Sequence, residues 1–269
     1  MNFQNLYLSL HFLNSIIMIK ISLLNQKGGV GKSTSTRNLA DYFAMRDKRV
    51  LMADIDGQGN LSQLSNCEDK EITMYEAFKG KPPVVYPVKE NIDIIPNTLD
   101  FSSIEIEIAS VLRREMILDN ILNRFTANYD LCFIDCPPNL GLVTINAMAT
   151  SDYVLIPMEA SYFSYRALER MVETLNQIKA EKVNPKISIL GIFLTKFVNT
   201  TVVTRDILND FKQDGWDIGL FQTKIRQFED FRKAEYKRMS VFEHKKNSLA
   251  ARDYDNLGTE IYNKLFNNK

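Results

Sequence analysis

The sequence predicts an α/β fold, a doubly wound, mostly parallel sheet flanked by helices in a single domain. Three observations carry that prediction. An apolar run, Ile19 to Leu24, leads into the glycine loop Lys27-Gly28-Gly29-Val30-Gly31-Lys32-Ser33-Thr34, which opens a helical pattern from Ser33 to Arg46. Strand, glycine loop and helix in that order is the context of a phosphate loop. A second apolar run, Leu131 to Ile134, ends in Asp135 and is stopped by Pro137-Pro138. Strand-like runs then alternate with helical patterns along the rest of the chain, as successive βαβ units require.

The glycine loop explains itself residue by residue. Glycines let the backbone curl so that successive N–H groups face one β-phosphate. The helix behind them adds the positive end of its dipole. Lys32 would meet the β- and γ-phosphates as a point charge, and Ser33 would place its hydroxyl on Mg²⁺. The general pattern asks for glycine at position 26, where Gln26 stands. Lys27 lies five residues before the usual lysine. Lys32 already serves the subunit's own phosphates, so a phosphate across a dimer interface is a reasonable target for Lys27, in the manner of an arginine finger. The competing reading, a glycine-rich turn without a ligand, leaves the register of strand, loop and helix unexplained.

With Lys27 in that place the loop resembles the deviant Walker A of the ParA/MinD (SIMIBI) ATPases. The resemblance runs from about Met18 to the C-terminus. It implies a P-loop NTPase fold of the deviant Walker A type, ATP and Mg²⁺ as cofactors, and the whole loop, Lys27, Gly28, Gly29, Val30, Gly31, Lys32, Ser33 and Thr34, as nucleotide-binding.

In chain order, the first helix is expected from Ser33 to Met45, with Leu39, Ala40 and Phe43 on one face. A buried strand, Val50 to Asp54, ends in Asp54-Ile55-Asp56-Gly57-Gln58-Gly59-Asn60. Acids, amides and glycines at a strand's C-terminal end mark a site loop, because open parallel sheets bind ligands there. An Asx-rich turn is the plainer alternative. The stretch resembles the family's D-x-D-P-Q-G-N switch I, with Gly57 in place of proline and a more mobile loop expected. By that resemblance Asp56 orients the attacking water and Asp54 helps hold the Mg²⁺ hydration shell. A short helix is expected at Met74 to Phe78, a turn at Lys81-Pro82-Pro83, a strand at Ile92 to Pro96, and helices over 101–111 and 115–125. The Leu131–Asp135 run looks like a Walker B strand. Asp135 would bind Mg²⁺ through water, and Pro137 to Gly141 would form switch II. Then follow a helix at Leu142 to Ala149, a strand at Tyr153 to Pro157, and a loop, Met158 to Ser161, facing the same crevice. An amphipathic helix is expected at Arg166 to Lys179. A strand at Ile187 to Leu194 ends at Thr195-Lys196-Phe197. A helix at Val202 to Phe211, a short strand at Ile218 to Phe221 and a last helix at about Ser248 to Phe266 complete the series.

Composition narrows the function. The chain has 269 residues, 45% hydrophobic and 25% charged, as an ordinary globular protein does. Formal net charge is zero, so nucleic-acid binding would need a local patch. Eight basic residues against four acidic between Lys224 and Lys246 leave a local excess of four positive charges. A solvated helix face explains this plainly. Sequence-independent binding to duplex phosphates, through Arg226, Arg232, Lys233, Lys237 and Arg238, is the sharper alternative that the family resemblance implies. Arg226 stands where many relatives carry a proline near the adenine. Cys67, Cys132 and Cys136 make no disulfide framework and suit a reducing cytoplasm. Cys132 and Cys136 are better taken as small buried side chains than as a metal or redox pair. Residues 1–17 are apolar-rich with no lysine or arginine before Lys20, unlike a signal peptide, and are expected to be an appendage to the core domain, 18–269.

The reading that unites these signs is a ParA-like partition ATPase. By that resemblance ATP would drive a sandwich homodimer, the dimer would bind non-specific double-stranded DNA, and a ParB-type centromere-binding partner would stimulate slow hydrolysis, in the nucleoid-associated cytoplasm. A MinD-like positioning ATPase acting on a membrane or protein scaffold is the alternative; the few residues after Phe266 weigh against membrane targeting. A metallocluster carrier would need cysteines displayed at the dimer interface, and for a small-metabolite kinase no substrate-binding constellation stands out.

Overall fold

The structure is a computed structural model that describes residues 18–198, 202–213, 215 and 219–267. The expected appendage, 1–17, lies outside the described residues. Seven strands form one sheet: β1 (Ile19–Leu23), β2 (Val50–Asp54), β3 (Tyr86–Lys89), β4 (Ile92–Ile95), β5 (Leu131–Asp135), β6 (Tyr153–Glu159) and β7 (Ser188–Thr195). Their order is β3-β4-β2-β5-β1-β6-β7. All neighbours are parallel except β3, which pairs antiparallel with β4 at the edge. β1 sits between β5 and β6, so the glycine loop leaves the sheet centre, flanked by the ends of both.

The strands read as continuous apolar runs because helices cover both faces. In β2, Val50 and Met52 enter one hydrophobic cluster while Leu51 and Ala53 enter the other. β5 divides likewise, Leu131 and Phe133 against Cys132 and Ile134, the two-residue period of a strand. Cys132 and Cys136 are free and buried in the core, as expected.

The helices that position the site are α1 (Lys32–Ala44), α2 (Asn60–Leu64), α3 (Met74–Phe78), α4 (Ile104–Glu107), α5 (Ile117–Leu122), α6 (Leu142–Thr150), α7 (Tyr162–Ala180), α8 (Val202–Gln213), α9 (Glu229–Tyr236), α10 (Val241–Lys245) and α11 (Leu249–Tyr262). α1 buries Leu39, Tyr42 and Phe43 against the sheet and α11. Packing there is close enough that a Cβ on Gly258 would lie 2.4 Å from the Tyr42 ring. Burying each of these large side chains contributes about 1.5–3 kcal/mol.

Three expectations are corrected, and one strand was not anticipated. The edge strand β3 was hidden by its short, proline-containing sequence, which suits an edge. The helices expected over 101–111 and 115–125 are broken into short turns around α4 and α5. Arg113 takes a left-handed φ of 56° between them, and Ile106 and Leu112 stay exposed. β6 runs on to Glu159, past the expected end at Pro157. In place of a strand at 218–221, of which residue 218 lies outside the described residues, Leu220 makes a single bridge to Ile192. Among the described residues no helix is long and apolar enough to cross a membrane.

Candidate active site

Asn25 anchors the glycine loop. Its Nδ2 donates to the Pro157 carbonyl at 2.7 Å, and its Oδ1 accepts the Lys27 N–H at 2.8 Å. The loop is thereby tied to β6 before it turns. Gly29 and Gly31 have φ of 72° and 87°, the left-handed region that glycine adopts at little cost. Gly31 caps α1 with no side-chain hydrogen bond, so the first N–H groups of the helix remain available to an anion. A Cβ built on Gly28, Gly29 or Gly31 meets nothing within 4 Å, so the inner surface of the loop is open. Lys32 is buried, its Nζ 3.3 Å from the Asn25 carbonyl.

Two carboxylates lie behind the loop. Asp54 and Asp135 are register partners at the ends of β2 and β5, and both are fully buried. Asp54 accepts the Ser62 N–H at 2.9 Å, the Ser62 hydroxyl at 2.6 Å and the Asp56 N–H at 3.1 Å. Burial pushes its pKa up to about 7 against those hydrogen bonds. Both Asp135 oxygens are buried without a hydrogen bond. Burial, then the charge of Asp54, push the Asp135 carboxyl well above the usual range, with the neighbouring Ser33 hydroxyl and Lys32 ammonium acting the other way. Two buried acids side by side, with only the Ser33 hydroxyl and the Lys32 ammonium near Asp135 to offset its charge, form a site that a hydrated cation would complete. The residues present therefore fit Mg²⁺ beside Ser33.

Asp56 lines the cavity itself and accepts the Gln58 N–H at 3.0 Å, an Asx turn that holds the loop. Gly57 has a steric reason: a Cβ there would stand 2.6 Å from Ser102 Oγ and 3.0 Å from its backbone nitrogen. The close approach of the 102 segment explains glycine here, where sequence reasoning expected added mobility.

Lys27 ion-pairs with Glu159 of its own chain. The other Glu159 oxygen takes Lys196 Nζ at 2.9 Å. Burial raises the Glu159 pKa, but the two lysines more than offset it and hold the carboxyl below its ordinary value. Sequence reasoning missed both partners. Glu159 lies in the 158–161 stretch that it placed at the crevice, and Lys196 takes a left-handed φ of 48° just past β7.

The cavity has a volume of about 660 Å³. The glycine loop forms one wall, and Phe228, Phe231, Arg232 and Arg238 form part of another. The five basic residues of the expected patch are therefore divided. Arg226 is held in a bidentate ion pair with Asp253, at 3.0 and 2.6 Å, and its backbone N–H is bound by the same carboxylate. Arg238 pairs with Glu68. Lys233 lies 3.4 Å from Glu229 on its own helix. Among the described residues Arg232 and Lys237 make no ion pair, and both are exposed.

Comparison with known proteins places this geometry. Residues 18–189 match the family described as AAA domain (AAA_31). The chromosome-partitioning ATPase Soj of Treponema pallidum is 32% identical over 243 residues, covering 88% of this chain and 94% of that protein. The sporulation initiation inhibitor protein Soj of Bacillus subtilis is 36% identical over 199 residues, covering 72% and 78%. Among solved structures, cobyrinic acid a,c-diamide synthase from Mycobacterium smegmatis, with bound ATP analog and magnesium, superposes with a TM-score of 0.82 at 23% identity, covering 94% of this chain and 97% of that one. At that identity the likeness establishes a shared fold.

Proposed function

The chain belongs to the ParA/Soj-type partition ATPases, and on that premise we propose that it works as an ATP-dependent homodimer on DNA. One observation carries the nucleotide part: the buried pair Asp54 and Asp135, at the register-matched ends of β2 and β5 behind the open glycine cradle. The names of its relatives, and the ATP analog and magnesium bound by the synthase of the same fold, support the same reading.

The loop N–H groups from Gly28 to Thr34 hold the phosphates, with Lys32 as their main cation. Ser33 and Asp135 would hold Mg²⁺, with Asp54 beside them, and Asp54 anchors the following loop through Ser62. Mg²⁺ supplies charge neutralisation at the γ-phosphate when bound. Asp56, at the cavity wall, orients the attacking water. Lys27 leaves Glu159 and reaches the nucleotide of the second subunit, adding positive charge where negative charge develops.

Duplex DNA is held without sequence preference by the exposed basic residues of the α9 region, Arg232, Lys233 and Lys237, doubled in the dimer. A ParB-type partner stimulates hydrolysis and resets the cycle in the nucleoid-associated cytoplasm.

The test is retention of mixed-sequence duplex by the full chain with ATP, with ADP and without nucleotide. Retention with ATP and release with ADP is expected. A chain that binds ATP and ignores DNA in all three states overturns the DNA reading. A chain that binds no nucleotide overturns the whole.

A further inference from the structure

Two helices end in the same way on opposite walls of the cavity. α2, which follows the Asp56 loop, closes with Asn66 at a left-handed φ of 54°, the Asn66 N–H bonded to the Gln63 carbonyl and the Cys67 N–H to that of Ser62. α9 closes with Arg238 at a φ of 53°, its N–H bonded to Glu235 and the Met239 N–H to Ala234. Both are Schellman caps. Asparagine is a common residue at that position; arginine is not, and glycine is the usual one.

The two caps meet. Asn66 Nδ2 donates to the Arg238 carbonyl at 3.4 Å, and the Arg238 guanidinium pairs with Glu68, two residues beyond Asn66. Asn60, Gln63 and Leu64 of the first helix line the cavity, as do Arg232, Glu235 and Arg238 on the other side. Arg238 is half-exposed as well as cavity-lining, so the meeting point lies at the rim. α2 is in turn fixed to Asp54 through Ser62.

We propose that Glu68 and Arg238, with Asn66 beside them, form a clasp that holds the α2 wall of the nucleotide cleft to the α9 wall and slows nucleotide release. This rests on the nucleotide reading above. It makes Arg238 a positioning residue of the cleft, which explains why a side chain takes a backbone conformation that favours glycine: the ion pair and the Asn66 amide hold it there. The basic helix α9 and the loop of Asp54 and Asp56 are thereby joined by a link that neither makes alone.

The experiment measures release of the fluorescent nucleotide mant-ADP, with Mg²⁺, from the full-length chain by stopped flow, with Tm as a parallel readout. Glu68→Gln and Arg238→Gly each remove the pair. Glycine suits the cap, so Arg238→Gly is expected to keep a Tm no lower than the wild-type value. Both variants should release mant-ADP about threefold to fivefold faster, the size that a partly exposed ion pair supports. The exchanged pair, Glu68→Arg with Arg238→Glu, should return release toward the wild-type rate. Wild-type release in Arg238→Gly or Glu68→Gln overturns the clasp and leaves the nucleotide reading intact. Faster release that the exchanged pair does not slow overturns it equally. A wild-type chain that binds no mant-ADP fells both.

Discussion

Lys27 and Glu159 are ion-paired within one chain, across 132 residues of sequence. The lysine assigned to a partner's nucleotide is thus held at home, and the pair has to open before it can reach across. Lys27→Ala should keep nucleotide affinity within about threefold, because Lys32 and the loop N–H groups survive, while abolishing the ATP-dependent dimer. Glu159→Gln should raise the ATP-dimer association constant by roughly twofold to fivefold, in line with the strength of a partly exposed pair. Light scattering behind gel filtration at fixed ATP measures both. A dimer that persists in Lys27→Ala would remove that residue from the interface.

Asp135 carries a tension between stability and function. Its buried carboxylate has no hydrogen-bond partner and faces Asp54. Asp135→Asn keeps the shape and removes an acid whose charged form burial and then Asp54 disfavour, so the protein without metal should gain about 1–2 kcal/mol, or roughly 2–6 °C in Tm for a chain of this size. Mg²⁺-dependent hydrolysis should be abolished. Thermal unfolding in chelator and phosphate release with Mg²⁺ give the two readouts. A lower Tm in chelator would show that Asp135 has a structural partner after all.

Arg232 and Lys233 are exposed on α9, and among the described residues Arg232 has no ionic partner. Reversing both charges, Arg232→Glu with Lys233→Glu, should weaken ATP-dependent DNA retention at least tenfold. It should also flatten the slope of log affinity against log salt by nearly one for each phosphate that is no longer neutralised. Fluorescence anisotropy across a salt series reads both. An unchanged slope would return this helix to an ordinary solvated face.

Glu243 on α10 joins the sheet edge to α1. It accepts Arg37 Nη2 at 2.6 Å and lies 3.6 Å from Lys89 Nζ, while Arg37 and Lys89 also pair with the buried Asp41. Burial raises the Glu243 pKa, but Arg37, the Ser240 N–H and Lys89 bring it below its ordinary value of 4.5. A carboxyl with a depressed folded-state pKa stabilises the fold above its unfolded value and loses that contribution as pH falls through the folded value. Wild-type stability should therefore decline as pH drops below about 4.5, and Glu243→Gln, less stable at neutral pH, should decline less steeply there. Denaturant midpoints from pH 6 to pH 3.5 compare the slopes; parallel curves would discard the linkage.

Much of the site was legible because it is local. Glycines that must curl, a lysine and serine opening a helix, and acids ending apolar strands are each written within a few consecutive residues. Parallel strands bring their C-terminal ends to one edge of the sheet, and the order β2-β5-β1 then sets Asp54, Asp135 and the glycine loop side by side. The helices over 101–111 and 115–125 were misjudged because their apolar spacing suggested continuous helix. The fold instead uses Glu105 to accept the Val143 N–H, and a left-handed Arg113 to turn the chain.

The sequence by itself determined the phosphate loop, the acids around it and the doubly wound sheet, since each follows from backbone conformation and strand periodicity. Only the tertiary structure decided where the long charged side chains go. Glu159 reaches Lys27 because β6 lies beside β1, Asp253 takes Arg226 because α11 passes behind it, and Glu68 meets Arg238 because two helix ends converge. A flexible side chain pairs with whatever opposite charge the packing puts within reach, and no local pattern encodes that neighbour.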